Sequence, residues 1–473
     1  MATGGSTARW AAIARAVRDY RRESFWLDTL GEDLDPRPSL EADGSCDVAI
    51  VGAGYTGLWT AYALKRIDPS LDVVICESDI AGAGASGRNG GWCMGEMSGI
   101  RSLLHDPVYG DDARRLQRTL FATVDEIGRT CAEEGIDCDF QKGGALKMAR
   151  LPAHRPRLEA DLASLRAAGF GEDCYRFLEP DECAQRIRGQ DYDGALYSTH
   201  VAALNPARLV RGLARAVEKR GVRLYERSPV RRVARDRIET DRATLLANRV
   251  VLATEGYTPE LAGHHRKLIP IHSMMIATEP LSDEMWATMG LHERETFGDG
   301  RRVTAYGQRT ADGRIAFGGR GLYYYGSRAR SAFGEDEAIF QMVHRGLLSI
   351  FPQLSSVKIT HFWGGPLGVA RDWTTRVGVD GKTGIAFGGG YVGEGVNASH
   401  LVGATLADLI CGRQTERTEI RWLQKSFPLW EPEPLRWLGV SMVRSAAEWI
   451  DRDEARGRRA NPVANRIFTT FAK

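Results

Sequence analysis

The sequence predicts an α/β chain in which a doubly wound, parallel-sheet domain is interleaved with an antiparallel-sheet α+β region. Three observations carry this. Residues 48–51 are an apolar strand run that leads into the turn Gly52-Ala53-Gly54-Tyr55-Thr56-Gly57, a helical stretch at 58–67 and a second strand at 71–76 ending on Glu77. Residues 202–256 read as another helix followed by two or three strands, so the chain comes back to the first sheet. Between about 260 and 365 the texture changes, and segments 273–280 and 314–319 read as strands of an antiparallel sheet.

The first turn explains itself position by position. Gly52 lets the chain turn tightly off the strand, Gly54 lets a pyrophosphate approach the backbone, and Gly57 lets the new helix pack close to the sheet. The helix start, with Ala53, Tyr55 and Thr56, offers unpaired N–H groups and a partial positive charge to phosphate. Glu77 lies 20 residues past Gly57, where an acid accepts the hydroxyls of a ribose, with Ser78 beside it. In a chain of 53 glycines the triplet alone would carry little weight. Its strand–turn–helix–strand–acid context predicts a bound dinucleotide.

A second cluster follows at once: Gly82, Ala83, Gly84, Ala85, Ser86, Gly87, Arg88, Asn89, Gly90 and Gly91. A nicotinamide enzyme needs no such loop directly after the ribose acid. FAD does, because it is long and its second phosphate and isoalloxazine must be cradled further along. Small residues let backbone lie against the flat ring, and Ser86, Arg88 and Asn89 offer bonds to phosphate and ribityl oxygens. Trp92 is expected beside the ring, and Cys93 is the one cysteine near a predicted flavin contact.

With these two motifs the chain resembles the D-amino-acid-oxidase-like (DAO) family of FAD-dependent oxidoreductases, and within it the amine-oxidising branch. The resemblance continues at 143–146, at 205–213, at 248–257 and at 388–396, so it covers roughly residues 45 to 412. It implies a glutathione-reductase-like, Rossmann-type FAD-binding domain with a separate substrate domain. It also implies cofactor contacts at Val230, at Ala253, Thr254 and Gly256, and at Gly393, Glu394, Gly395 and Val396. The last of these begin a helix whose positive end would face the flavin pyrimidine edge, where negative charge grows on reduction.

Residues 1–44 read as an N-terminal extension, helical from 14 to 30 and then extended through Pro36 and Pro38. The FAD-binding domain is expected at 45–100, 195–260 and 365–412. The substrate domain is expected at 101–194 and 261–364. Helices are expected at 106–134, 152–169 and 335–351, and a return strand at 357–363. Residues 413–473 form a C-terminal helical extension. Its Leu435, Leu438, Met442, Val443, Ala446, Trp449 and Ile450 mark an amphipathic helix, expected to pack on the protein's own surface or on a subunit neighbour.

Composition narrows the class. At 473 residues the chain accommodates two intertwined domains. With 63 basic and 61 acidic residues, a formal charge of +2 and no dense basic run, no nucleic-acid role is expected. No apolar run has the length of a membrane span, and residues 1–21 lack the apolar core of a secretory signal. Eight scattered cysteines without a Cys-x-x-Cys pair argue against a metal or dithiol site and for a reducing cytoplasm. The oligomeric state is not fixed.

The resemblance implies oxidation of a C–N bond in a small amine or amino acid. A hydride passes to flavin, the imine hydrolyses, and O2 takes the electrons to give hydrogen peroxide. A dehydrogenase with a quinone or protein acceptor, and a tailoring desaturase or monooxygenase, stay open. Amino-acid oxidases of the family carry an Arg near the C-terminal return to clamp the substrate carboxylate. Here Gly365 stands in that segment, which favours an amine. Three residues are candidates for catalysis. Arg320 ends a substrate-domain strand, and would hold an acid, assist oxygen or pair at the surface. His272 precedes a strand expected to line the site, or is structural. Glu394 binds the substrate ammonium or is solvated. Tyr323, Tyr324 and Tyr325 either wall an amine pocket or pack the sheet.

Overall fold

The computed structural model describes residues 18–420 and 422–471, without the side chain of Arg320. Part of the expected 14–30 helix, residues 14–17, lies outside the described residues.

The Gly44–Val51 strand buries Val48, Ala49, Ile50 and Val51, as the centre of a parallel sheet requires. It pairs in parallel with Val73–Cys76 on one side and with Thr244–Leu252 on the other. The sheet runs Arg376–Val379, Ala386–Gly389, Thr244–Leu252, Gly44–Val51, Val73–Cys76, Arg223–Tyr225, with two further strands hairpinned off Thr244–Leu252. Helices Tyr55–Ile67, Pro206–Lys219, Gly395–Ile410 and Gly110–Glu134 join its main core. Pro206–Lys219 begins where Asn205 accepts from the Ala207 and Arg208 N–H groups, a side-chain cap that satisfies the helix's orphan donors.

The second sheet has the order Ile359–Val369, Ile269–Thr278, Ile315–Tyr323, Ala305–Arg309, Thr296–Asp299, Ala145–Met148, Ala195–Ser198, Tyr175–Leu178. Helix Ala338–Ile350 packs Phe340, Val343, Leu347 and Ile350 against it. A two-stranded ribbon, Trp92–Met94 with Val201–Ala203, lies apart from both sheets.

Several boundaries differ from expectation, each because a non-local pairing decides it. Residues 195–198, expected in the FAD-binding domain, pair with Ala145–Met148 and Tyr175–Leu178 in the second sheet. The return strand runs unbroken from Ile359 to Val369, across the expected boundary at 364/365, because its partner Ile269–Thr278 continues beside it. Helix Gly110–Glu134, placed in the substrate region, sends Leu116, Leu120, Val124 and Ile127 into the core of the first.

The N-terminal segment is two single turns, Tyr20–Glu23 and Phe25–Asp28, rather than one helix. Ser24 is extended between them and its hydroxyl accepts from the Leu27 N–H, so the second turn starts afresh. Helix Leu435–Ala455 buries Ala446, Ala447 and Ile450. Leu435, Leu438 and Trp449, expected on the packed face, are instead 60%, 52% and 45% exposed. The apolar stripe is wider than the surface that covers it.

Candidate active site

The glycine turn closes on itself as its spacing requires. Gly52 has φ +105°, a conformation that favours glycine, and a Cβ there would lie 2.7 Å from the Ala253 carbonyl. A Cβ on Gly57 would lie 2.0 Å from the Gly52 carbonyl oxygen. The Tyr55–Ile67 helix has no side-chain cap from Gly54. Its Tyr55 N–H donates instead to the Ser86 hydroxyl at 2.9 Å. Glu77 accepts from the Ala53 N–H at 2.7 Å, from the Ser78 hydroxyl at 2.9 Å and from the Asp79 N–H at 3.0 Å. Burial raises its pKa.

These residues line a groove of about 350 Å³. Gly52, Gly54, Tyr55 and Thr56 line it, together with Glu77 and Ser78. Gly84, Ala85, Ser86 and Asn89 follow. Val230, Ala253, Thr254 and Gly256 lie along it, and Gly393, Gly395 and Val396 at the start of the Gly395–Ile410 helix complete it.

Not every expected contact faces the groove. Ala53 lies behind it, giving its N–H to Glu77. Gly87 and Gly91 serve the loop itself, for a Cβ would lie 2.3 Å from the Gly82 carbonyl in one case and 2.2 Å from that of Leu204 in the other. The expected phosphate role of Arg88 is corrected. Its buried guanidinium donates to the Ala83 and Ser331 carbonyls, both at 2.6 Å, and pairs with Glu23. Asn89 lines the groove, but its amide donates to the Ala85 and Ser86 carbonyls and its side-chain oxygen accepts from the Gly91 N–H. It shapes the loop. Cys93 is fully buried in the core and lines neither the groove nor the chamber beside it.

The N-terminal extension holds this loop from outside. Trp26 donates its indole N–H to the Asn89 carbonyl at 2.8 Å, the Tyr20 hydroxyl bonds Asp79, and Glu23 bridges Arg18 and Arg88.

Sequence reasoning missed Glu255. It stands at the free position of the Ala-Thr-x-Gly turn with φ 43°, and accepts from the Tyr391 N–H at 2.9 Å. Burial lifts its pKa to about 7, against the opposing pull of nearby N–H groups of Tyr391, Gly390 and Gly368. The spacing of the turn marked the position, but nothing marked its residue type. Tyr391 also sends its hydroxyl to within 2.7 Å of the Thr56 hydroxyl, tying the closing glycine segment to the first helix.

A chamber of about 440 Å³ continues from the groove. The two share Ala85, Asn89, Leu367, Gly393 and Val396. Gly90, Trp92 and Glu394 line the chamber, and Tyr306, Ser273 and Met275 rise into it from the second sheet. Tyr306 and Ser273 share a hydrogen bond at 2.5 Å, and the Tyr306 ring meets Trp92 edge-on. At the far end Glu96 pairs with Arg101 and accepts from the Tyr175 hydroxyl at 2.9 Å. Burial pulls the Glu96 pKa up, yet Arg101 and Tyr175 outweigh it and hold the carboxyl below its usual value.

The candidate catalytic residues separate. Glu394 lines the chamber. His272 does not. It is fully buried, with Nδ1 3.2 Å from the Leu322 carbonyl and Nε2 accepting from the Arg330 N–H at 2.8 Å. Burial lowers its pKa to about 4. It is a neutral structural histidine, and its expected place in the site is corrected. The Arg320 backbone pairs with Ser273, and its side chain lies outside the described structure. Tyr323 and Tyr324 bond Glu433 and Arg330 rather than lining the chamber. Gly365 does line it, and a Cβ there would meet nothing closer than the Arg88 side chain at 3.6 Å.

A parallel sheet whose first βα turn opens a long groove, continued under a second sheet, defines a dinucleotide-binding oxidoreductase. The chain belongs to the DAO family of FAD dependent oxidoreductases, whose pattern it matches over residues 47–409. It is 31% identical over 421 residues to the probable oxidoreductase OrdL of Rhizobium meliloti, covering 85% of this chain and 92% of that one. It is 30% identical over 386 residues to gamma-glutamylputrescine oxidoreductase of Escherichia coli, covering 80% and 86%. Among solved structures, L-proline dehydrogenase from P. horikoshii superposes with a TM-score of 0.65 at 17% identity, covering 81% of this chain and 97% of that one. The groove fits FAD: its helix N-terminus is uncapped by its own residues, its glycines leave the backbone bare, and it opens into a chamber. Among the described residues no helix is long and apolar enough to cross a membrane, and no cluster of His, Cys, Asp and Glu is arranged to hold a metal ion.

Proposed function

We propose that this FAD-dependent oxidoreductase oxidises the C–N bond of a small amine or amino acid, with an amine favoured, and returns the electrons to O2 as hydrogen peroxide. The observation that carries this reading is the union of groove and chamber through Ala85, Asn89, Leu367, Gly393 and Val396. One ligand lying along the groove would end where a second, smaller molecule enters. FAD, when bound, supplies the acceptor for a hydride.

The chain's own residues do the rest. Gly52, Gly54 and the Tyr55 N-terminal turn would hold the pyrophosphate, and Glu77 the ribose. The Gly395–Ile410 helix would present its positive end at Gly393 to Val396. Trp92, Tyr306 and Met275 wall the chamber and exclude water from the reacting C–H bond. Glu394 would take the ammonium end of the incoming substrate, which must lose its proton before transfer. The released imine hydrolyses in water to a carbonyl compound. Gly365, where a clamping Arg would otherwise stand, favours an amine over an α-amino acid held by its carboxylate.

A second reading rests on one observation, the exposed Leu435, Leu438 and Trp449 of the C-terminal helix. Such a face suits docking to a quinone or protein acceptor. One experiment addresses both. The yellow protein is mixed without oxygen with amines, N-methyl amines and amino acids while flavin absorbance is followed, and air is then admitted. Bleaching by an amine with rapid recovery in air supports the oxidase. Bleaching that air does not reverse selects the dehydrogenase. Bleaching only by a nicotinamide cofactor rejects both.

A further inference from the structure

The chamber is lined by charges, and they are unevenly satisfied. Four basic residues line it: Arg88, Arg101, Lys147 and Arg301. Each guanidinium has a close carboxylate. Arg88 pairs with Glu23, Arg101 with Glu96, and Arg301 with Asp299 at 2.6 Å. Lys147 differs. Its nearest carboxylate oxygen, on Asp161, is 3.8 Å away, beyond hydrogen-bond distance. Among the described residues its ammonium makes no hydrogen bond. The side chain keeps 48% of its surface open. Lys147 lines the chamber, and burial and the nearby Arg101 lower its pKa.

Register places Lys147 with respect to the reacting end. Tyr306 pairs directly with Gly298, and Gly298 pairs directly with Lys147 on the next strand. Directly opposed residues lie on one face of a sheet. Tyr306 and Lys147 therefore rise from the same face, two strands or about 10 Å apart. Between them Gly298 carries no side chain, so the floor is bare main chain. On its other side Tyr306 abuts the flavin loop, where a Cβ on Gly90 would lie 2.5 Å from its ring. The result is a trough with a flavin-facing aromatic at one end and an ammonium lacking a hydrogen bond at the other.

We propose that Lys147 is an anion-binding, specificity-determining residue, and that the amine oxidised at the flavin end carries a carboxylate at its other end, as an ω-amino acid does. The inference rests on the amine-oxidising reading of this same chamber. It separates recognition from chemistry: Lys147 fixes the far end of the substrate, and Arg101, held by Glu96 and Tyr175, supports the anionic end from the side. A plain alkylamine or a diamine would leave Lys147 without a hydrogen-bond partner.

The test uses the FAD-loaded protein and two kinds of probe. Glutarate, which holds no oxidisable amine, is titrated calorimetrically into the wild type, Lys147→Met and Lys147→Arg, each checked for full flavin content. A charge-assisted hydrogen bond lost to Met weakens binding about 10- to 100-fold, and Arg retains it. In parallel, kcat and KM are measured for 5-aminopentanoate and for pentylamine. The carboxylated amine is preferred at least about tenfold by the wild type, and Lys147→Met abolishes the preference through KM with kcat unchanged. Glutarate that does not bind, or binds Lys147→Met as it binds the wild type, overturns the proposal. So does a wild type indifferent between the two amines. If neither amine bleaches the flavin while glutarate binding still depends on Lys147, the anion site stands and the amine-oxidising reading falls.

Discussion

The nucleotide groove and the chamber beside it are built by opposite means. The groove presents main chain. Its walls are Gly52, Gly54, Gly84, Gly256, Gly393 and Gly395 together with the first turn of one helix. The chamber presents side chains, with Trp92, Lys147, Ser273, Met275 and Tyr306 drawn from four strands. A ligand read by backbone needs glycines at fixed local spacing. A ligand read by side chains needs only that distant strands pair in the right register. The first requirement writes itself into contiguous sequence and the second does not.

Four substitutions and one control would break or sharpen that contrast. The largest effect belongs to the groove. Gly57→Val places carbon 2.0 Å or closer to the Gly52 carbonyl, so the helix must move off the sheet. Loss of bound flavin, read from the 450 nm absorbance of the purified protein, and destabilisation by about 3 kcal/mol are expected. A flavin-loaded variant of normal stability would refute the close packing of this turn.

Glu255→Gln probes the junction of the two regions through pH. The folded-state pKa of about 7 lies above the ordinary 4.5. A raised acid contributes stability that is complete below pH 4.5 and lost as pH rises through 7. The FAD-free wild type should therefore melt lower at pH 8 than at pH 5. Gln removes that charge, so the difference between variant and wild type should grow by about 1–3 kcal/mol over the same interval. A pH-independent difference would place the Glu255 titration elsewhere.

His272→Gln separates structure from catalysis. Loss of the ring's two backbone contacts should cost about 1–2 kcal/mol of stability in denaturant melts, with kcat/KM within about threefold of wild type. A hundredfold loss of activity at unchanged stability would return His272 to the chemistry. The smallest effect is expected at Gly365→Ala. Its Cβ would meet only the Arg88 side chain at 3.6 Å and 3.8 Å, so stability should stay within about 0.5 kcal/mol. The neighbouring Gly364→Ala, which would meet the Met274 sulfur at 2.7 Å and the Ser273 carbonyl at 2.9 Å, is the control that should cost about 1–3 kcal/mol.

The same contrast explains which of the expected residues the structure brings together. Gly52, Gly54, Tyr55, Thr56 and Glu77, and the later Ala253, Thr254, Gly256, Gly393, Gly395 and Val396, line one groove because each belongs to a short strand–turn–helix unit whose spacing is local. Arg88 and Asn89 sit in the expected loop, yet their side chains turn to Ser331, Glu23, Ala85 and Ser86. A polar side chain in a glycine loop is as readily spent on holding the loop as on its ligand, and the partners of Arg88 come from 65 residues upstream and 243 downstream. His272 failed for the same reason. It lies inside the Ile269–Thr278 strand rather than before it, and the Arg330 segment that buries it is remote in sequence. Tyr306 and Lys147 carried no signal, being an ordinary strand tyrosine and an ordinary strand lysine until register set them two strands apart on one face.

By itself, the sequence determined the parallel-sheet unit, the cofactor and the approximate extent of the family resemblance, because periodic burial and glycine spacing are properties of neighbouring residues. Only the tertiary structure decided which strands joined the second sheet, that the N-terminal segment clasps the flavin loop through Trp26 and Glu23, and which side chains face the chamber. Those outcomes depend on strand register and on competition for buried partners, and both are settled between segments far apart in the chain.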